Sequence, residues 1–215
     1  MNEQQQSLED LQHIKKMMER SSRFISLSGL SGISAGFCAL LGVWIAKPYV
    51  MGHKEIVINE EVAILQAMAN DYSIILNTYL FWIAVVTFLG AFTSAFIFTF
   101  FKTKKEGTLI WSASSKRLMI NLSIPIIVGG IFLFRMLQFE TFGLVAPGCL
   151  IFYGLGLVNA SKYTLIEIRY LGYIQIILGL VNLWFVGFGL YFWAVGFGMM
   201  HILYGAYMWN KYERK

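Results

Sequence analysis

Three polar side chains interrupt apolar stretches near the end of this 215-residue chain, and their types permit hydrogen bonding or proton chemistry. His201 lies near the middle of the last apolar stretch, and Gln175 and Asn182 lie in the stretch before it. An ionisable residue at such a depth in a membrane segment is costly, which makes it a candidate for function. Histidine can bind a ligand or exchange a proton near neutral pH. We therefore take these three residues as a candidate mid-membrane polar site.

The same histidine also has a structural interpretation. A neutral imidazole could hydrogen-bond Gln175, Asn182 or a backbone carbonyl between two helices, at much lower cost than a buried Lys or Glu. The sequence leaves both interpretations open.

Small residues recur at helical spacing in the first and last apolar stretches. Such residues let two helices approach closely. They predict packing within a bundle or against a second copy of the chain, and the candidate helix-packing residues are Ser28, Gly32, Gly36, Gly198 and Gly205.

Four charged residues lie where apolar stretches begin or end. Glu167 and Arg169 open the fifth stretch, where charges typically anchor a helix end at the interface; a coupling or substrate-binding pair is the alternative. Arg135 lies near the outer end of the third stretch, from which its long side chain could extend towards headgroups or Glu140.

Metal and cofactor chemistry have little support in the sequence. Both cysteines, Cys38 and Cys149, lie inside apolar stretches, so neither a disulfide framework nor a zinc site follows. One polar outer loop carries potential ligands without a recognised metal spacing, and we expect no metal and no cofactor there. These potential ligands are His53, Glu55, Glu60 and Glu61.

Composition shows which elements must position these side chains. Hydrophobic residues make up 57% of the chain, charged residues only 13%, and the mean hydropathy is +0.62, which is atypical of a soluble domain. Six stretches come close to the roughly 20 apolar residues that a membrane-crossing helix needs. Helices are predicted because an open sheet would leave backbone groups unpaired in lipid. The predicted spans are about 24–46, 73–101, 118–138, 142–160, 171–187 and 189–210.

Basic residues predict the orientation of these spans. Fourteen of the 17 Lys and Arg residues fall on one side if the six stretches alternate across a bilayer, and only Lys47, Lys54 and Arg135 fall on the other. Because basic flanks are retained in the cytoplasm, both termini are predicted inside. The fold class is thus an all-α polytopic membrane protein with six transmembrane helices, N-in and C-in.

Two short cytoplasmic parts flank the transmembrane domain of residues 24–210. Residues 1–23 have apolar positions at helical spacing after a capping pattern that starts at Ser7, which predicts an amphipathic helix. Residues 211–215 form a tail. The N-terminal helix is a candidate surface for a membrane or cytoplasmic partner, or for a homo-oligomer.

The formal net charge of +5 does not indicate nucleic-acid binding here, because the basic residues border apolar spans. Anionic lipid headgroups are the expected partner.

One enzymatic comparison is with rhomboid intramembrane proteases, which have a GxSG serine motif and a histidine in the sixth span. This chain has GLSG at 29–32 and His201. The motif lies in the first span instead of the fourth, however, and the amide and histidine motifs of the oxyanion site have no counterpart. An intramembrane hydrolase that uses Ser31 and His201 is therefore a remote alternative.

A broader resemblance covers most of the chain. The run MERSSRFISLSGLSGISAG at 18–36, the six spans and the run EIRYLGY at 167–173 resemble a family of bacterial inner-membrane proteins with no established activity. The resemblance implies the fold and a bacterial inner-membrane location, and it transfers no functional residues.

The functional expectation is accordingly a membrane protein without a recognisable catalytic site that acts as a regulatory, sensory or scaffolding component. A small transporter or channel for a neutral or amphipathic solute, lined by the mid-membrane polar residues, is the alternative. Crosslinking that depends on residues 1–20 would favour the first, and a polar cavity at mid-membrane depth would favour the second.

Overall fold

The computed structural model describes residues 28–52, 79–107, 111–139 and 141–214. These ranges contain helices and connecting turns and no strand, which confirms an all-helical fold for the described residues. The first five long helices are α1 (Gly29–Gly52), α2 (Tyr79–Glu106), α3 (Ala113–Gln138), α4 (Val145–Ala160) and α5 (Glu167–Trp184).

The last helix, α6, has three consecutive parts. It begins as an α-helix at Gly189–Trp193, widens into a π-helix at Ala194–Met200 and returns to an α-helix at His201–Tyr212. A π-segment is rare and often marks a functional site. Short 3₁₀ turns occur before α4, after α4 and before α6, at Phe142–Leu144, Ser161–Tyr163 and Val186–Phe188.

The helices pack in two groups that α6 joins. In the first group α1 lies between α2 and α6, and in the second α4 lies between α3 and α5. The start and the π-segment of α6 contact α5, and its start also contacts α4, while its other side packs along α1. Side chains of α4 and α5 can therefore meet those of α6.

Large apolar side chains cover the outside of the molecule. Trp82, Phe88, Phe92 and Phe96 of α2 are all at least half exposed, and α2 packs mainly on α1. The buried apolar clusters are small by comparison; one consists of Leu157, Ile168 and Leu171. Apolar patches of this extent on a helical protein indicate a surface that faces lipid.

Five helical segments of the described ranges are long and apolar enough to cross a membrane. They contain α1, α2, α3, α4 and α6. The helix α5 is not among them, because two charged residues in its first turn and two amides lower its hydropathy. The structure therefore supports a helical membrane protein with five to six long apolar helices.

Several helix ends differ from the predicted spans. The helix α1 continues past residue 46, through Pro48, to Gly52; a proline removes only one backbone hydrogen bond near a helix end. The helix α5 begins at Glu167, not at residue 171, and ends at Trp184, before the predicted end at 187. The predicted helix of residues 1–23 and most of the outer loop lie outside the described residues.

Candidate functional site

His201 lies at the end of the π-segment and uses both of its ring nitrogens. The Nδ1 atom is 3.0 Å from the carbonyl oxygen of Gly196, and the Nε2 atom is 2.8 Å from the hydroxyl of Tyr153. Because a backbone carbonyl can only accept, Nδ1 carries a hydrogen. A neutral imidazole has a single N–H, so in the neutral ring Nε2 accepts the hydrogen bond from Tyr153, and the two contacts select one tautomer.

Gln175 joins the same carbonyl from α5. Its Nε2 atom donates a 2.7 Å hydrogen bond to the oxygen of Gly196, and the side chain is fully buried. We call Tyr153, Gln175, Gly196 and His201 the His201 network. It connects α4, α5 and α6 where α6 changes from π to α geometry.

The backbone of α6 explains this arrangement. His201 follows Gly196 by five residues, so the imidazole reaches a carbonyl about one π-turn earlier in the chain. A Cβ on Gly196 would lie 2.6 Å from Oε1 of Gln175 and 2.5 Å from Cδ2 of Leu150. Any larger residue at this position would displace the ends of these two side chains, so glycine leaves the space that Gln175 and Leu150 occupy.

Asn182 does not join His201. Its Nδ2 atom donates to the carbonyl of Phe185 at 2.9 Å, just after the end of α5, although the side chain is fully buried. Of the three predicted residues, the structure thus brings Gln175 and His201 together and gives Asn182 a local role at the end of α5. Tyr153 was not among the predicted residues, and its hydroxyl inside an otherwise apolar stretch was the available signal.

Four buried polar atoms have no hydrogen-bond partner within the described ranges: Oε1 of Gln175, Oδ1 of Asn182, the hydroxyl of Tyr204 and Oε2 of Glu167. The first two lie near glycines of α6. A Cβ on Gly196 would lie 2.6 Å from Oε1 of Gln175, and a Cβ on Gly189 would lie 3.8 Å from Oδ1 of Asn182. Buried polar atoms without partners are uncommon in native proteins, so each needs a physical reason.

The small residues of α1 lie against α6. A Cβ on Gly32 would lie 3.1 Å from the Cα of Gly205, and one on Gly36 would lie 2.7 Å from the carbonyl oxygen of Gly198. Ser28 lies at the same interface, where its hydroxyl donates to Oε2 of Glu213 at 3.3 Å. Gly198 and Gly205 of α6 therefore face α1, while Gln175 and His201 meet on another side of the helix.

Glu167 and Arg169 do not pair with one another. Oε1 of Glu167 accepts hydrogen bonds from Lys211 at 2.6 Å and from the Tyr212 hydroxyl at 2.8 Å. Burial by itself would raise the pKa of the Glu167 carboxyl, but these hydrogen bonds outweigh it and hold the pKa below its ordinary value. Arg169 instead donates from Nε to the hydroxyl of Ser161 at 3.2 Å.

Arg135 contacts its own end of α3. It donates to Oε1 of Gln138 at 2.6 Å, and its guanidinium lies 4.7 Å from the centre of the Phe139 ring. Glu140, its predicted partner, lies outside the described residues.

Ser31 and His201 do not form a catalytic pair. The hydroxyl of Ser31 donates to the carbonyl of Ser28, and both nitrogens of His201 bond to groups of α4 and α6. A serine nucleophile needs a base within hydrogen-bond reach, and this geometry offers none at Ser31.

The described ranges contain no group of three or more His, Cys, Asp or Glu side chains that could hold a metal ion. The outer-loop residues His53, Glu55, Glu60 and Glu61 lie outside these ranges.

No protein-family model matches this chain, and no match was found among curated proteins or among solved structures. The family resemblance of the sequence therefore stays an expectation.

Proposed function

We propose that this chain is a six-span protein of the bacterial inner membrane, with both termini in the cytoplasm, that acts as a regulatory, sensory or scaffolding component. The fifth span in this proposal is α5, whose two amides are covered by α6 and whose charged first turn lies at an interface. Helices with buried polar residues can cross a bilayer when those residues face other helices.

The position of the basic residues at one end of the bundle supports the proposed orientation in the membrane. There the end of α6 bonds to the starts of α1 and α5 and to the end of α2, through Glu213, Lys211 and Lys102. Most described basic residues belong to these helix ends or their flanks, whereas Lys47 and Arg135 lie near the opposite ends of α1 and α3. The basic end corresponds to the cytoplasmic side, where anionic headgroups would be its partners.

The observation that carries the functional proposal is that both ring nitrogens of His201 are already hydrogen-bonded within the protein. A histidine that binds a ligand or solute needs a free nitrogen, whereas both nitrogens here hold helices together. In this proposal the His201 network holds the helices together, and the interaction is assigned to the cytoplasmic side with residues 1–23.

Crosslinking in native membranes tests this proposal. We expect a specific complex with the full chain, and its loss after deletion of residues 1–20. A second variant keeps the length and the charges of the chain and replaces only apolar side chains by Gln, at Leu8, Leu11, Ile14 and Met18. We expect this variant to lose the complex as well. The same uncrosslinked monomer for all three proteins would contradict the proposal.

A second candidate function, a small transporter or channel for a neutral solute, is favoured by two specific atoms. Oε1 of Gln175 and Oδ1 of Asn182 are buried acceptors without partners among the described residues. Reconstituted vesicles should then take up glycerol or urea faster than empty vesicles, and Gln175→Leu should abolish the difference while Tyr173→Phe, at an exposed position, should retain it. Equal uptake by loaded and empty vesicles would exclude this function for these solutes.

A further inference from the structure

Two tyrosines lie close to His201: Tyr153 bonds to its Nε2 atom, and Tyr204 lies between it and the basic end along α6. Tyr153 of α4 and Tyr204 of α6 both pack against the apolar cluster of Leu157, Ile168 and Leu171. Tyr204 follows His201 by three residues, so both project from the same side of α6. Tyr204 therefore lies on the part of α6 between His201 and Lys211, the residue that bonds to Glu167 in the first turn of α5.

The polar atoms along this line are incompletely bonded. The hydroxyl of Tyr204 is buried, and no described residue bonds to it. Oε1 of Glu167 already accepts from Lys211 and Tyr212, whereas its buried Oε2 has no partner among the described residues. A hydroxyl and a carboxylate oxygen are costly to bury without hydrogen bonds, and bound water is the usual solution.

The spacing fits a short chain of hydrogen bonds. Gln175 shares the Gly196 carbonyl with His201 and follows Glu167 by eight residues on α5, which places the His201 network about 12 Å along the helix from Glu167. Hydrogen bonds between oxygens span about 2.8 Å. About four such links bridge that length, so two tyrosine hydroxyls and one or two waters would suffice.

We propose that water molecules complete a hydrogen-bonded path from Oε2 of Glu167, through the hydroxyls of Tyr204 and Tyr153, to Nε2 of His201. The site binds water molecules, and protons move along the hydrogen bonds that these waters form. When Nε2 takes the proton of Tyr153, the phenol oxygen takes one from the next hydroxyl or water, and solvent at the basic end supplies the last proton. The Nδ1 hydrogen stays on the ring and keeps its hydrogen bond to the carbonyl oxygen of Gly196, so the net change is the uptake of one proton by the imidazole.

The titratable groups around the path come from three helices. They are Tyr153 of α4, Glu167 of α5, and Tyr204, Lys211 and Tyr212 of α6. The helix α1 packs on the other side of α6 and carries no Asp, Glu, Lys, Arg or His in residues 28–46. Glu167 is therefore the only carboxylate on the path, at its solvent end.

Cysteine labelling tests whether water reaches Tyr204. The variants Tyr204→Cys and Leu203→Cys are made in a chain whose Cys38 and Cys149 are changed to Ala. The two positions are adjacent on α6, but Leu203 is 58% exposed on the outer surface. Because the thiolate is the nucleophile that attacks the reagent, and because it forms only where water reaches the thiol, a small membrane-impermeant thiol reagent should modify Tyr204→Cys at least about tenfold faster than Leu203→Cys. Equal or slower labelling of Tyr204→Cys would overturn the proposal.

A second measurement uses Tyr204→Phe and does not depend on an added thiol. If waters bond to the hydroxyl, its removal leaves those waters and Oε2 of Glu167 short of a partner, and the thermal midpoint should fall. If the hydroxyl is dry and unsatisfied, its removal should leave the midpoint unchanged or raise it, which would contradict the path. Tyr173→Phe, at an exposed position, is the matched control. Neither measurement depends on a partner protein or on transport.

Discussion

Oε1 of Glu213, just after the end of α6, accepts a 2.6 Å hydrogen bond from the backbone N–H of Gly29 at the start of α1. Oε1 of the same carboxylate also bonds to Lys102 of α2 at 3.2 Å. A negative charge at a helix N-terminus satisfies free N–H groups and favours the helix dipole. One side chain thus joins the ends of α1, α2 and α6, at the point where residues 1–27 precede the described chain.

We expect Glu213→Gln to destabilise the bundle by about 1 kcal/mol, because it weakens both the cap of α1 and the ion pair with Lys102. Thermal unfolding in detergent measures the change. Glu106→Gln is the control, since Glu106 also faces Lys102 but at 3.8 Å and is more exposed. Equal midpoints for the two variants would contradict the capping role of Glu213.

The packing of α1 on α6 predicts a contrast between glycines. Gly205→Ala would place its Cβ 2.6 Å from the carbonyl oxygen of Gly29, so we expect a loss of about 1–3 kcal/mol through overpacking. Gly90→Ala, whose Cβ would meet no atom within 4 Å, should be neutral or slightly stabilising. Unfolding midpoints for the two variants check this contrast, which fails if Gly205→Ala is as stable as Gly90→Ala.

The hydrogen bond at Nε2 of His201 depends on Tyr153. Tyr153→Phe should remove the donor to Nε2, leave a buried acceptor unsatisfied and cost about 1–3 kcal/mol. Nitrogen chemical shifts of the His201 ring should also move, because the bonded Nε2 loses its donor. Unchanged shifts, with stability equal to that of Tyr173→Phe, would exclude the bond.

The Glu167 carboxylate predicts a pH dependence at the basic end. Its pKa in the folded protein is lowered, so its contribution to stability is present above the ordinary pKa of about 4.5 for glutamate and is lost as the pH falls through the lower, folded value. The thermal midpoint of the native protein should drop more steeply below about pH 4.5 than that of Glu167→Gln. Parallel curves for the two proteins would assign the acid sensitivity to other carboxylates.

Labelling from the two sides of the membrane checks the proposed orientation. Cysteines placed at Lys105 and at Lys47, in a chain without Cys38 and Cys149, belong to opposite ends of α2 and α1. We expect an impermeant reagent outside intact cells to modify Lys47→Cys but not Lys105→Cys, because basic flanks stay in the cytoplasm. The reverse labelling pattern would show that the topology is opposite to the proposed one.

Much of the helical fold could be predicted from the sequence, because the need to pair backbone groups in an apolar environment acts locally on each stretch. The helices extend beyond some of the predicted membrane spans. The apolar composition of α1 falls off near residue 46, yet the helix extends to Gly52. The helix α5 begins at Glu167, before the predicted span at 171, and Glu167 is held there by Lys211 and Tyr212 of α6. Such stabilisation comes from another helix and leaves no periodic signal in α5 itself.

By itself, the sequence determined the helical element type and the apolar character of the chain, and it singled out His201, Gln175 and Asn182 as candidate polar residues. Only the tertiary structure decided which groups these residues bond, because the partners of His201 are a hydroxyl 48 residues earlier in the chain and a carbonyl turned towards it by a π-segment. Which groups meet across a helix interface depends on axial register and rotation. Those follow from close glycine contacts along whole helices, and no single stretch encodes them.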